Sequence, residues 1–309
     1  MEQFIKELKK LKAKRVFIQY PEGIKKKIQD IAKQLEKEGM EIFICLQECY
    51  GACDIRDDEA IRLGCDAILH IGHEPVVEKT KIPVVYWEYF LDINPLPALE
   101  KEFDKLKDYH NIGLITSLQF VKTIPIVKEF LEEKGKKVFV HKSLQYPGQV
   151  LGCRLDAGKA IEDKVDCFLC ISAGKFYGEG GLIYLNKPVF NLDLERNEIY
   201  DMIPIKTKLI KIMTWNESFF EEARNVGILV SWKPGQFMSP FKLKEIMESK
   251  GKNVYLLVMD EITPEKLEGL KLDLLINTAC PRIGTDDISR YKIPIVNIAQ
   301  IMKYLKNER

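Results

Sequence analysis

Tyr50-Gly51-Ala52-Cys53-Asp54 and Gly148-Gln149-Val150-Leu151-Gly152-Cys153 open two copies of one frame. Thirteen residues after each cysteine stands an aspartate, Asp66 or Asp166. Each aspartate leads an apolar run, Ala67-Ile68-Leu69-His70-Ile71 in one case and Cys167-Phe168-Leu169-Cys170-Ile171 in the other. A third such run, Asp273-Leu274-Leu275-Ile276-Asn277, ends in Thr278-Ala279-Cys280-Pro281. Three copies of one unit, each with a cysteine near the end of a strand, predict a shared three-cysteine site.

The flanking sequence repeats as well. Arg15-Val16-Phe17-Ile18-Gln19 reads as a buried strand, and Ile28, Ile31, Ala32 and Leu35 mark one face of the helix that follows. Gly39 suits the left-handed position just past a helix end, and Glu41-Ile42-Phe43-Ile44 begins the next strand. The order recurs from Ile112 through Ile124, Val127 and Leu131 to Gly135 and Val138, and from Val226 through Leu243, Ile246 and Met247 to Gly251 and Val254. Every unit closes on a proline-led strand, Pro83-Val84-Val85, Pro188-Val189-Phe190 or Pro294-Ile295-Val296. Proline is tolerated there because its missing N–H breaks no essential ladder bond. Continuously apolar strands separated by helices predict an α/β fold of three similar lobes, residues 1–107, 108–212 and 213–309. Each lobe is expected to be a four-stranded parallel sheet flanked by helices on both faces, the three arranged about a pseudo-threefold axis. A solenoid is disfavoured, since its usual units are only about 20 to 45 residues long.

Composition narrows the function. With 309 residues, 46% of them hydrophobic, the chain can bury a sizeable core. Lys+Arg 47 against Asp+Glu 46 leaves a formal charge of +1, so no global basic field argues for direct nucleic-acid binding. No apolar run reaches the roughly 18 to 20 residues that cross a bilayer, and Met1 to Arg15 is charged and amphipathic, which predicts a cytoplasmic protein without membrane contact. Eight cysteines in such a chain point to thiols, a metal or a cluster before a disulfide framework.

Ligands of open parallel sheets sit outside the carboxyl ends of the strands. Cys53 and Cys153 follow the second strand of their lobes and Cys280 the third, so all three are expected at that edge. Soft thiolates favour iron–sulfur clusters, and a 4Fe-4S cluster on three cysteines leaves one iron open. The competing reading is three ordinary buried cysteines. Cys167 and Cys170, three apart on a strand, point to opposite faces and read as packing residues. Cys65 reads as core, as does Cys45 in the second strand, and Cys49 as a spare thiol near the site. His73 holds the place in the first lobe that Cys280 holds in the third; its loop makes it a neighbour of the site, and it is expected to be solvated.

Tyr50-Gly51-Ala52-Cys53-Asp54, Gly148 to Cys153, Gly174-Lys175-Phe176, Lys233-Pro234-Gly235-Gln236 and Asn277-Thr278-Ala279-Cys280-Pro281-Arg282 together resemble the archaeal diphthamide biosynthesis family of 2-(3-amino-3-carboxypropyl)histidine synthases. The resemblance spans nearly the whole chain. It implies a homodimeric, non-classical radical S-adenosylmethionine transferase whose 4Fe-4S cluster is held by Cys53, Cys153 and Cys280. The implied reaction moves the 3-amino-3-carboxypropyl group of S-adenosylmethionine to a histidine ring carbon of translation elongation factor 2, through a reduced cluster and a radical or organometallic species. An electron donor is implied with it. Gly174 and Lys175 are candidates for the co-substrate's carboxylate, or else a surface turn with a solvated lysine; Gly235, Gln236 and Gln119 are candidates for its adenosine, or else tight turns; and Arg282 is a candidate for tuning the cluster or pairing with a carboxylate. Two rivals stand beside it. Quinolinate synthase also carries three lobes around a three-cysteine cluster, with the open iron as a Lewis acid in a dehydrating condensation. The other rival is a non-enzymatic three-lobed binding module with structural cysteines.

Overall fold

A computed structural model describes residues 2–305. It contains three sheets, each built from one consecutive stretch of chain. The first holds β1 (Arg15–Gln19), β2 (Glu41–Ile44), β3 (Ala67–Ile71) and β4 (Val84–Trp87), in the order β2-β1-β3-β4 and all parallel. The second holds β5 (Asn111–Thr116), β6 (Lys137–Phe139), β7 (Cys167–Ser172), β8 (Val189–Asp193) and β9 (Glu198–Asp201), in the order β6-β5-β7-β8-β9. Here the expected four parallel strands gain a fifth, β9, which pairs antiparallel with β8. The third sheet, β10 (Asn225–Ser231), β11 (Asn253–Met259), β12 (Leu274–Asn277) and β13 (Ile295–Asn297), repeats the first order as β11-β10-β12-β13.

The chain packs as two compact units. One comprises the residues up to Phe90 with Lys233–Gln236, the other Leu91–Trp232 with the residues from Phe237 on. The first sheet lies in the first unit. Val16, Ile18, Leu69 and Ile71 pack with Ile28, Ile31, Ala32 and Leu35 of the helix Lys25–Lys37 on one face, while Phe17, Ile68, Ile55, Ala60 and Cys65 form the core on the other. The second unit holds the other two sheets. Cys167 packs with Val127 and Leu131 on one face of the second sheet and Cys170 with Leu182 and Leu185 on the other, as period-two alternation requires.

The repeat is a repeat of hydrogen bonds. In each lobe the aspartate ahead of the third strand accepts two backbone N–H bonds from the start of the first. Asp66 Oδ2 takes them from Lys14 (2.6 Å) and Arg15 (2.8 Å), Asp166 Oδ2 from His110 (3.0 Å) and Asn111 (2.7 Å), and Asp273 Oδ2 from Arg224 (3.0 Å) and Asn225 (2.7 Å). Gly39, Gly135 and Gly251 take φ of +85°, +78° and +77°. Each donates to the carbonyl three residues back, and the next residue donates to the carbonyl five back, which closes three helices in the same Schellman motif. The carbonyls of Pro83, Pro188 and Pro294 accept from Ile68, Phe168 and Leu275, so the proline begins the fourth strand's pairing as an acceptor only.

The backbone donors, with those of Arg15, Asn111 and Asn225 foremost, hold the carboxyls of Asp66, Asp166 and Asp273 below the usual aspartate range. A depressed folded-state pKa contributes stability that is complete above the ordinary value of about 3.9 and is lost as pH falls through the folded values. Urea midpoints measured from pH 5 down to pH 2.5 should therefore decline, and the Asp66→Ala, Asp166→Ala and Asp273→Ala triple variant should decline less steeply. Each single variant should cost about 1 kcal/mol at pH 7, the low end for bonds to a charged acceptor because these carboxylates face solvent.

Candidate functional site

In the first unit the site is built on the loop that follows β2. Cys45, expected within that strand, lies one residue past its end and is buried in the core. Cys53 is half-buried. Gly235 N–H donates to the Cys53 carbonyl (2.8 Å) and Gln236 Nε2 to the Cys53 sulfur (3.3 Å). A Cβ on Gly235 would stand 2.6 Å from Cys53 Cα, so only glycine lets this backbone come so close. Beneath the loop, Lys233 Nζ and Asp54 Oδ2 form an ion pair at 2.9 Å, with each side chain 3% exposed, and Arg56 Nη2 approaches the same oxygen at 3.5 Å. Gln19 Nε2 donates to the Asp54 carbonyl (2.9 Å), and its Oε1 accepts from Arg56 N–H (3.0 Å), which ties the loop to the end of β1. Burial raises the Cys53 thiol, Asp54 adds to the rise, and the Gln236 bond and the Lys233 charge oppose it.

Gly235 and Gln236, expected to meet adenosine or form a turn, thus both contact Cys53. Lys233 and Asp54 were not singled out from the sequence, although each stands in a quoted motif. Asp54 adjoins a candidate ligand, and Lys233 is the only charged residue of its tetrapeptide.

In the second unit Gly148, at φ +73°, and Val150 exchange bonds with Thr116 at the end of β5, which sets the course of the chain into the exposed Cys153. Cys280 is half-buried in the loop after β12. That loop is pinned by Asn277 Nδ2 to the Cys280 carbonyl (2.8 Å), Thr278 Oγ1 to the Leu229 carbonyl (2.7 Å) and Asn297 Nδ2 to the Pro281 carbonyl (2.8 Å). Arg282 joins the two loops. It is 5% exposed, stacks 3.9 Å above the Phe176 ring, and donates to the carbonyls of Gly152 (3.2 Å) and Phe176 (2.6 Å) and to the Asp286 carboxylate. A Cβ on Gly180 would meet Arg282 Nη1 at 2.5 Å and the Gly152 carbonyl at 2.9 Å, so the glycines of the helix Phe176–Tyr184 open the room for this clamp. Burial raises the Tyr184 phenol, and the Cys153 and Cys280 sulfurs push it the same way.

The remaining candidates lie where the repeat puts them, with occupations of their own. Gly174, at φ +67°, follows β7, and its carbonyl accepts from Ser172 Oγ (3.0 Å) and Asn191 Nδ2 (2.9 Å). Lys175 Nζ rests 4.5 Å from the centroid of the Tyr200 ring on β9. Gln119 sits in the short helix after β5, where its carbonyl accepts from Leu91 N–H. His73, expected to be solvated, is half-buried and 3.0 Å from His70 Nε2.

Cys53, Cys153 and Cys280 are free thiols, half-buried or exposed, each on a loop beyond the carboxyl end of a strand; Cys45, Cys65, Cys167 and Cys170 are core residues. Accessible soft donors of this kind fit an iron–sulfur cluster.

Residues 20–309 match the profile of the diphthamide synthesis protein family. The chain belongs to that family. It is 29% identical over 305 residues to 2-(3-amino-3-carboxypropyl)histidine synthase of Pyrococcus horikoshii, covering 97% of this chain and 88% of that one. It is 28% identical to the synthase of the same name from Methanocaldococcus jannaschii, covering 99% and 89%. The crystal structure of Dph2 from Pyrococcus horikoshii with a 4Fe-4S cluster superimposes with a TM-score of 0.86 at 29% identity, covering all of this chain and 91% of that one. The expected enzyme class, a transferase, is that of these family members. Of the two three-lobed iron–sulfur families that the motifs admit, the match selects the diphthamide one.

The buried pair under Cys53 is the most exposed point of this design to substitution. Lys233→Met should destabilise the protein by about 3 to 5 kcal/mol, because Asp54 would keep a buried charge short of its partner. Combining it with Asp54→Asn should cost less than the sum of the singles by about 1 to 3 kcal/mol, read from a double-mutant cycle of urea denaturation curves.

Proposed function

We propose that this chain transfers the 3-amino-3-carboxypropyl group of S-adenosylmethionine to a ring carbon of a histidine on a protein substrate, with Cys53, Cys153 and Cys280 as the three ligands of a 4Fe-4S cluster. One observation carries the proposal. A structurally similar relative holds such a cluster, and this chain offers one accessible cysteine per repeat, each braced by its own polar contacts. The expected lobes, residues 1–107, 108–212 and 213–309 about a pseudo-threefold axis, are the arrangement that would bring the three together. Translation elongation factor 2 as acceptor, a homodimer, an external electron donor and a cytoplasmic location complete the reading and rest on the family resemblance; among the described residues no helix is long and apolar enough to cross a membrane.

When bound, the cluster supplies the electron that cleaves the bond between sulfonium and γ-carbon in S-adenosylmethionine. That carbon then bonds to an imidazole ring carbon, methylthioadenosine and the ring proton leave, and the adduct gives one electron back as the ring regains its aromaticity, so the transfer consumes no net electron. Carbon selectivity calls for such chemistry, because a simple electrophile is attacked by the ring nitrogens. The chain's own residues position and shield. Gln236 and Lys233 favour the anionic form of the Cys53 sulfur, the first by a hydrogen bond and the second by its charge. Arg282 fixes the Gly152 carbonyl next to Cys153 and belongs to the loop that carries Cys280. Lys175 keeps a cation after β7, the edge where a carboxylate of the co-substrate would be held.

The test is anaerobic reconstitution with iron and sulfide, followed by dithionite, S-adenosylmethionine and archaeal elongation factor 2. The expected results are a brown protein, release of methylthioadenosine, and a mass gain on the factor of one 3-amino-3-carboxypropyl group. Cys53→Ala, Cys153→Ala and Cys280→Ala should each remove the broad visible absorbance and the transfer. An intact cluster with no transfer overturns the assignment of the reaction, and absorbance that survives any of the three substitutions overturns the ligand set.

A further inference from the structure

In the first unit Cys49, His70 and His73 bring Sγ, Nε2 and Nδ1 together at the carboxyl edge of the sheet. All three ligand atoms lie within 4.8 Å of one another. Cys49 Sγ stands 4.0 Å from His70 Nε2, and His70 Nε2 stands 3.0 Å from His73 Nδ1. A tetrahedral zinc ion with bonds of about 2.0 to 2.3 Å holds its nitrogen and sulfur ligands about 3.3 to 3.6 Å apart, so the present spacings bracket that geometry. From this juxtaposition we infer that Cys49, His70 and His73 form a binding site for a single divalent ion of the zinc class, separate from the three cysteines assigned to the cluster.

The backbone makes the set. His70 shares a face of β3 with Ile68 and pairs with Tyr86 on β4, so its ring points into the core rather than out to solvent. His73 follows one turn later, past Gly72 at φ +87°, and Cys49 comes from the loop after β2. Cys49 and His70 are 4% and 0% exposed. Hydrogen bonding within the trio leaves the cluster incomplete. Only one proton can lie between His70 Nε2 and His73 Nδ1, and the sulfur contact is at the outer limit of a hydrogen bond. An ion would engage all three donors at once.

The other repeats give the positions meaning. The place of His70 in the first repeat is that of Asn277 in the third, and the place of His73 is that of Cys280. Where the third repeat holds its loop with an amide and offers a thiol, the first offers two imidazoles and reaches back to Cys49. A mixed sulfur and nitrogen set selects zinc, cobalt or a similar ion over calcium or magnesium. Such an ion would fasten the beginning of the loop that ends in Cys53 onto β3.

The site is tested in the full chain carrying Cys53→Ala, Cys153→Ala and Cys280→Ala, made metal-free under nitrogen and titrated with Co²⁺ alone. One equivalent should bind, with a near-ultraviolet thiolate charge-transfer band and the visible bands of a four-coordinate ion, and one equivalent of Zn²⁺ should displace it. Adding Cys49→Ala should abolish the charge-transfer band. His73→Ala, at a half-buried loop position whose folding far-ultraviolet circular dichroism can verify, should weaken Co²⁺ binding by about a hundredfold or more. No saturable band in the parent protein, a band that persists without Cys49, or unchanged affinity without the His73 imidazole each overturns the inference.

Discussion

Parallel strand direction is the constraint on which everything else in this protein depends. When all strands of a sheet run the same way, every loop that leaves a strand does so at the same edge, and side chains distant in sequence gather there. In the first sheet that edge collects Cys49 and Cys53 after β2 and His73 after β3. In the second and third it collects Cys153, Gly174, Lys175 and Cys280. The opposite edge carries the aspartates that tie the third strand of each lobe to the first, so one end of every sheet is fastened and the other is free to hold chemistry.

Much of this was legible in the residues because the same local physics is written three times. A glycine past a helix end, an aspartate ahead of a strand and a proline at the start of the last strand each have a backbone reason to be where they are, and the structure shows that reason three times over. The spacing of Cys167 and Cys170 was equally readable, since a strand can only send them to opposite sides. The fifth strand was not, because Glu198–Asp201 is short and mixed in polarity, and its pairing comes from packing on β8. Nor was the environment of Cys53. The partners of that sulfur lie some 180 residues away, and no periodicity links residue 53 to residue 236. His70 escaped notice for another reason: within an apolar run a histidine reads as core, and only the fold sets it against Cys49 and His73.

Charged groups in the interior are few and closely partnered. Lys233 with Asp54 and Arg56 braces the loop that carries Cys53, and Arg282 with Asp286, Gly152 and Phe176 braces the loops that carry Cys153 and Cys280. Buried ion pairs of this kind add little net stability, since desolvation offsets attraction, but they fix one arrangement and penalise alternatives. Around a sulfur that must take a definite direction, that selectivity is worth more than adhesion. The stacked Phe176 and the missing side chain of Gly180 let a large guanidinium occupy a space that would otherwise reject it.

The contact between Gly235 and Cys53 has a consequence for the order in which the molecule matures. A growing chain emerges from the ribosome amino end first, so Cys53 is exposed long before the tetrapeptide that completes its surroundings has been made. Until residue 236 has been synthesised, the thiol sits on a loop with neither its amide donor nor its glycine backing. On the proposed ligand set, an inorganic core delivered during translation would meet an unfinished socket; delivery after release would meet a finished one.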